Sequence, residues 1–172
     1  LVLKLITDKP IFNAELGVYS HRLGDTWLAG GASNSGGKVL LHYFDLEQIH
    51  AMTPLLDPET PTGLAYYPLI GAGERFPLND PRLRPRLQPR PKDDVVFFQG
   101  MLEGMARIEA QGYEVLSQLG AASVRKVLTA GGGSANPGWR RIRELKLGVP
   151  VEIAEHSEAS YGAALLARRA FV

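Results

Sequence analysis

The sequence predicts an α/β domain, a mixed sheet with helices on both faces. Three observations carry this. Short β-branched and aromatic runs crowd residues 1–29. One long helical stripe occupies residues 93–118. Strand, turn, helix and strand patterns then follow in β-α-β-α order, the order of parallel strands joined by helical crossovers.

Residues 1–7 read as a strand that Asp8-Lys9-Pro10 ends. Residues 15–22 are a second strand, linked through Leu23-Gly24-Asp25 to a third at 27–29, and the short links suggest an antiparallel meander. Gly30-Gly31-Ala32-Ser33-Asn34-Ser35-Gly36-Gly37 is a glycine-rich loop. It opens a helix over 38–46, where Val39, Leu40, Tyr43 and Phe44 have helical spacing. An anion can sit at such a junction, and a plain capped helix start fits it as well. A further helix and a proline-bounded loop fill residues 45–61, and a strand is expected over 63–70. From 74 to 92 prolines and arginines alternate. Proline at that density excludes a continuous helix or a central strand. A basic clamp on phosphate and a surface loop with solvated arginines both fit.

Asp93 and Asp94 open the longest helix, with acidic charge at its positive end. Val95, Phe98, Leu102, Met105 and Ile108 form its apolar stripe. Gly112-Tyr113 is a possible interruption, and Glu103 and Glu109 are expected in solvent. A buried strand over 124–129 leads into Gly131-Gly132-Gly133. There Asn136 suits a helix cap and Pro137 the first helical position. That helix runs to about Lys146. A short strand over 151–154 follows, then a last helix capped by Ser157, with Ala163, Ala164, Leu165 and Ala167 on its buried side.

Composition bounds the function. With 172 residues, 45% of them apolar, and a net charge of +1, the chain can fill a core. It has no global pull toward nucleic acid or acidic membranes. Cysteine is absent, which fits the cytoplasm. No apolar run approaches the roughly 20 residues of a membrane span. The opening Leu1-Val2-Leu3-Lys4, inside a strand pattern and without Met, is expected of a piece of something longer.

The strand–glycine–helix unit at 124–146 is the strongest candidate site. Free N–H groups and a positive dipole end beside Gly131, Gly132 and Gly133 suit phosphate. The Asn136 carboxamide can pair with a purine edge. The Trp139 indole offers a face for a base, or else fills the core. A dinucleotide site is the rival: Gly131-x-Gly133-x-x-Asn136 nearly matches G-x-G-x-x-G, with Glu152 and Glu155 about 20 residues on. The sixth position is Asn, however, and such a unit should lead its domain. No chemistry stands beside the turn. His21, His42, His50 and His156 lack metal-ligand spacing, and no nucleophile elbow is present.

Several segments together carry a family likeness. Residues 131–142, then Leu147-Gly148-Val149-Pro150-Val151, then Glu158-Ala159-Ser160-x-Gly162-Ala163-Ala164-Leu165 resemble the C-terminal domain of the FGGY family of carbohydrate kinases. Residues 98–106 resemble that family's long helix, and residues 30–37 its loop after the third strand. The nearest branch is that of plant and cyanobacterial D-ribulose kinases, similar to xylulose kinases. The resemblance spans nearly the whole chain.

It implies an actin-like, ribonuclease-H-like ATPase domain. Residues 1–172 would be the C-terminal nucleotide-binding domain of a two-domain kinase, facing an N-terminal sugar-binding domain that this chain lacks. It also implies ATP or ADP, with Mg²⁺ held mainly through the nucleotide, and a ketopentose acceptor. Gly131, Gly132 and Gly133 would face phosphates and ribose, Asn136 would pair with adenine, and Trp139 would stack on it. Gly36, flanked by Ser35 and Gly37, would approach the phosphate end. Glu158 would brace the glycine loop. The family's catalytic aspartate and Gly-Thr phosphate loop would precede Leu1, so no catalytic residue and no metal ligand is assigned here. Outside this likeness stand two alternatives: an ATPase-fold regulatory or assembly module without kinase chemistry, and the dinucleotide-binding domain. The likeness gives no account of residues 74–92.

Overall fold

The computed structural model describes residues 1–156 and 158–170. Strand β1 (Val2–Thr7), β2 (Tyr19–Leu23) and β3 (Thr26–Ala32) form an antiparallel sheet in the order β1-β3-β2. The strands are antiparallel as expected, but they are not a meander, because β3 is central. A two-residue turn at Gly24-Asp25 joins β2 to β3 as a hairpin, with Leu23 opposite Thr26 and Gly24 at φ 59°. The link from β1 to β2 is longer and contains a 3-10 turn, Ala14–Leu16, capped by the Asn13 side chain. It carries β2 past β3, so β1 pairs with the far edge of β3.

The helix expected over 38–46 ends early, and the further helix expected within 45–61 forms directly after it. Helix α1 (Gly37–Tyr43) stops where Phe44 turns extended. Asp45 then starts α2 (Leu46–Met52) with a reciprocal box: Gln48 N–H donates to Asp45 Oδ1 at 2.8 Å and Asp45 N–H to Gln48 Oε1 at 2.9 Å. A 3-10 turn, Thr53–Leu55, continues α2.

No strand forms over 63–70. A lone bridge pairs Tyr67 with Arg86. Pro61 and Pro68 donate no N–H, and side chains take the carbonyls: Arg86 Nε donates to Ala65 O at 2.6 Å and Arg107 Nη2 to Leu64 O at 2.7 Å. The segment lies against helix α3 (Asp94–Gln118) at two glycines. A Cβ on Gly104 would sit 2.9 Å from Tyr66 O, and one on Gly100 2.8 Å from Leu64 Cδ1.

Asp93 caps α3 through Val95 N–H at 2.8 Å. The helix is continuous through Gly112, whose missing side chain leaves room for Leu3 and Phe76. Phe98, Leu102, Met105 and Ile108 are buried as the stripe predicts. Glu109 is not in solvent; it is buried against Arg143. Glu103 is half-buried and accepts the Thr62 N–H and hydroxyl. One core cluster joins α1, α2, the first half of α3 and α4 through Val39, Phe44, Phe97, Phe98, Met101 and Ile142. A second joins the antiparallel sheet to the end of α3 through Leu3, Ala29, Phe76 and Leu116. Each buried Val, Leu, Ile, Phe or Met side chain among these is worth about 1.5–3 kcal/mol.

Strand β4 (Val127–Thr129), shorter than expected, pairs parallel with β5 (Val151–Ile153) across helix α4 (Pro137–Leu147). Antiparallel and parallel pairing are thus both present, in two sheets. Helix α5 (Ala159–Ala170) was expected to bury Ala163, Ala164, Leu165 and Ala167, yet all four are exposed: among the described residues α5 meets no element extensive enough to cover them. The Ser157 cap lies outside the described residues.

Candidate nucleotide site

The glycine turn has the local form its residues dictate. Gly131 sits at φ 85°, a conformation costly for any residue with a Cβ. Gly132–Ala135 then make one 3-10 turn, held by the Ser134 hydroxyl donating to Gly131 O at 2.7 Å. Asn136 is extended and caps α4, its Oδ1 accepting Trp139 N–H at 2.8 Å, with Pro137 in the first turn.

This turn and the loop before α1 face one cavity of about 840 Å³, within the range of small-molecule sites. Gly36 and Gly37 line it, and so do Gly132, Gly133, Asn136 and Trp139. Ile49, His50 and Thr53 of the α2 segment also line it. Apart from its chain neighbours, no residue comes within 4 Å of where a Cβ on Gly132 would stand, so the backbone there borders open space.

Four of the proposed residues sit differently from a simple lining. Gly131 sets the turn without reaching the cavity wall. Ser35 is buried beneath its loop, its N–H donating to Ser33 Oγ at 2.9 Å. Trp139 is a core side chain, 8% exposed, that offers an edge to the cavity; its Nε1 would lie 3.5 Å from a Cβ on Gly133. Glu158 is exposed, and among the described residues its carboxylate makes no hydrogen bond to the glycine turn. Of the two acids a dinucleotide site would use, Glu152 pairs with Lys126 at 3.2 Å and Glu155 is exposed, and neither lines the cavity.

Three contributors were not read from the sequence. The first is Glu74, 2% exposed, on which four donors converge. Ser33 Oγ and Asn34 N–H donate at 2.7 Å, Arg75 N–H at 2.9 Å and the Tyr67 hydroxyl at 3.0 Å. Glu74 therefore braces the loop that carries Gly36, and residues 74–75 gain a role that the proline-arginine pattern concealed. Farther along, Arg90 pairs with Asp94 at 2.6 Å at the start of α3, as an exposed surface contact. The second is the Glu109–Arg143 pair, both members of which line the cavity. Burial first, and then the Glu109 charge, push the neighbouring Tyr113 phenol well above its ordinary value. The third is Thr53, whose Oγ1 accepts Asn136 Nδ2–H at 3.1 Å. A carboxylate, an ion pair and a hydroxyl in scattered segments leave no spacing signal.

Among the described residues no group of three or more His, Asp or Glu is placed to hold a metal ion. No helix among them is long and apolar enough to cross a membrane.

The model of the FGGY family of carbohydrate kinases, C-terminal domain, matches residues 3–171. The chain belongs to the FGGY family of carbohydrate kinases. Over 70 residues this FGGY domain is 29% identical to L-fuculokinase of Escherichia coli (strain K12), covering 41% of the chain and 15% of that enzyme. A xylulose kinase structure from Brucella ovis superposes with a TM-score of 0.79 at 26% identity, over 95% of this chain and 35% of the other. A Plasmodium falciparum glycerol kinase with ADP superposes with a TM-score of 0.65 at 19% identity, over 96% and 36%. At that identity the likeness shows the fold alone. The chain spans about a third of the length of these solved kinases.

Proposed function

We propose that the chain is the nucleotide-binding lobe of an ATP-dependent sugar kinase built on an actin-like, ribonuclease-H-like ATPase fold. The observation that carries this is the convergence of Gly36-Gly37 and Gly132-Gly133, with Asn136 and Trp139, on one cavity. Backbone unscreened by side chains suits phosphates and ribose, the amide suits a base edge, and the indole edge suits the flank of a purine. Family membership supports ATP as the donor.

In this reading Gly131, Gly132 and Gly133 shape the ribose–phosphate end, and Gly36, supported by Ser35 and Gly37, approaches the phosphate end. Asn136 meets adenine, and Glu158 is a remote support. Mg²⁺ is held by the nucleotide's phosphates. Among the described residues the one carboxylate lining the cavity, Glu109, is bidentate to Arg143 and is not free for a cation. In this reading the base that deprotonates a sugar hydroxyl lies outside these residues, ahead of Leu1 as the family likeness implies, and an N-terminal domain holds most of the sugar. The acceptor we propose is a ketopentose, D-ribulose or xylulose, and the setting the cytoplasm, where ATP is abundant.

Calorimetry with ADP, AMP and NAD tests this. ADP should bind more tightly than AMP, with NAD no tighter than ADP. A preference for NAD, or no ADP binding at millimolar nucleotide, would overturn it.

A further inference from the structure

We infer that Thr53 is a positioning residue for base recognition, because it fixes which end of the Asn136 carboxamide acts as the donor. Both residues line the cavity, and Asn136 carries the only side-chain amide on its wall among the described residues. An amide and its flipped form have nearly the same shape but exchange donor and acceptor. A wall that distinguishes bases must therefore lock the flip.

Two bonds do so here. Trp139 N–H can only donate, so the Asn136 atom facing it at 2.8 Å is Oδ1. The Thr53 hydroxyl gives its own hydrogen to Ile49 O at 2.8 Å, so toward the amide it can only accept. It takes one Nδ2 hydrogen at 3.1 Å. Flipping the amide would set donor against donor at Trp139 and acceptor against acceptor at Thr53. One Nδ2 hydrogen and one Oδ1 lone pair are left for a ligand, in a fixed arrangement. That pair complements the acceptor–donor edge of adenine, N1 with the 6-amino group. Guanine presents a donor and an acceptor in the reverse places.

This rests on the nucleotide reading, and the test separates the two. Affinities for ADP and GDP are measured by calorimetry on the unaltered chain, Thr53→Val, Thr53→Ala and Thr53→Ser, each checked for folding by circular dichroism. The unaltered chain should prefer ADP. Thr53→Val should weaken ADP about fivefold, the size of one hydrogen bond, and lower the ADP/GDP ratio by a similar factor. Thr53→Ala removes the same hydroxyl and should agree. Thr53→Ser keeps it and should restore the ratio. Loss of folding alone would weaken both nucleotides equally and leave the ratio unchanged. Failure of the unaltered chain to bind ADP would sink the nucleotide reading. ADP binding with no ADP/GDP preference, or a ratio unmoved in both Thr53→Val and Thr53→Ala, would sink only the role of Thr53.

Discussion

Arg143 grips Glu109 with two hydrogen bonds, Nε to Oε2 and Nη2 to Oε1, both at 2.7 Å, and the two side chains are 5% and 2% exposed. The pair ties α4 to α3 beneath the proposed site. The Arg143 guanidinium also lies 5.4 Å from the Trp139 ring, one turn earlier on α4. The orientation of the indole is therefore coupled to a buried charge pair on the neighbouring helix.

Removing one partner should be costly. Glu109→Ala leaves a buried guanidinium uncompensated and should destabilise the fold by about 3–5 kcal/mol in urea unfolding. Replacing both, as Glu109→Leu with Arg143→Met, should recover most of that loss. A double variant as unstable as the single one would contradict the assignment.

Glu74→Ala should be nearly as severe. Four donors lose their common acceptor, and leaving such groups unpaired costs about 3 kcal/mol or more. Amide hydrogen exchange should show the loss first at Asn34 and Ser35. Protection there that is unchanged would deny Glu74 its bracing role.

Buried Tyr67 and partly buried Tyr113 predict an alkaline limit. Burial, then the neighbouring Glu74, raises Tyr67 above its ordinary value, and burial, then Glu109, raises Tyr113. A raised folded value means the unfolded chain loses these protons first. Their contribution is fully present below pH about 10 and is lost as the pH climbs above it. Unfolding free energy should thus fall above pH about 10, and more gently in Tyr113→Phe. An equal slope in that variant would contradict the burial argument.

The glycine turn, the Asn136 cap, the stripe of α3 and the final β-α-β order were all legible, because each has a local signature of period or cap. The failures share a different cause. The order β1-β3-β2 depends on a crossing that no local pattern records. Residues 63–70 have strand composition, but side chains from α3 and from Arg86 take their backbone carbonyls. Glu109 reads as a solvated helix charge until α4 brings Arg143 over it. Within the site, the residues on glycine loops could be found in advance. Those that position them, Glu74 and Thr53, act across more than 40 and 80 residues of chain.

Gly132→Ala separates fold from site. Open space next to Gly132 means a methyl group meets no protein atom, so stability should change by less than about 1 kcal/mol. The same methyl group occupies the cavity wall and should weaken ADP at least tenfold. Equal affinity in the variant would place the nucleotide elsewhere.

In the proposed reading a nucleotide enters this cavity against Trp139. The chain has two tryptophans, so Thr-flanked Trp27 on β3 can be removed as Trp27→Phe to leave Trp139 as the sole indole reporter. Titration with ADP should then shift or quench its emission in a saturable way, with the same midpoint as calorimetry. Saturable ADP binding that leaves Trp139 emission unchanged would contradict the account.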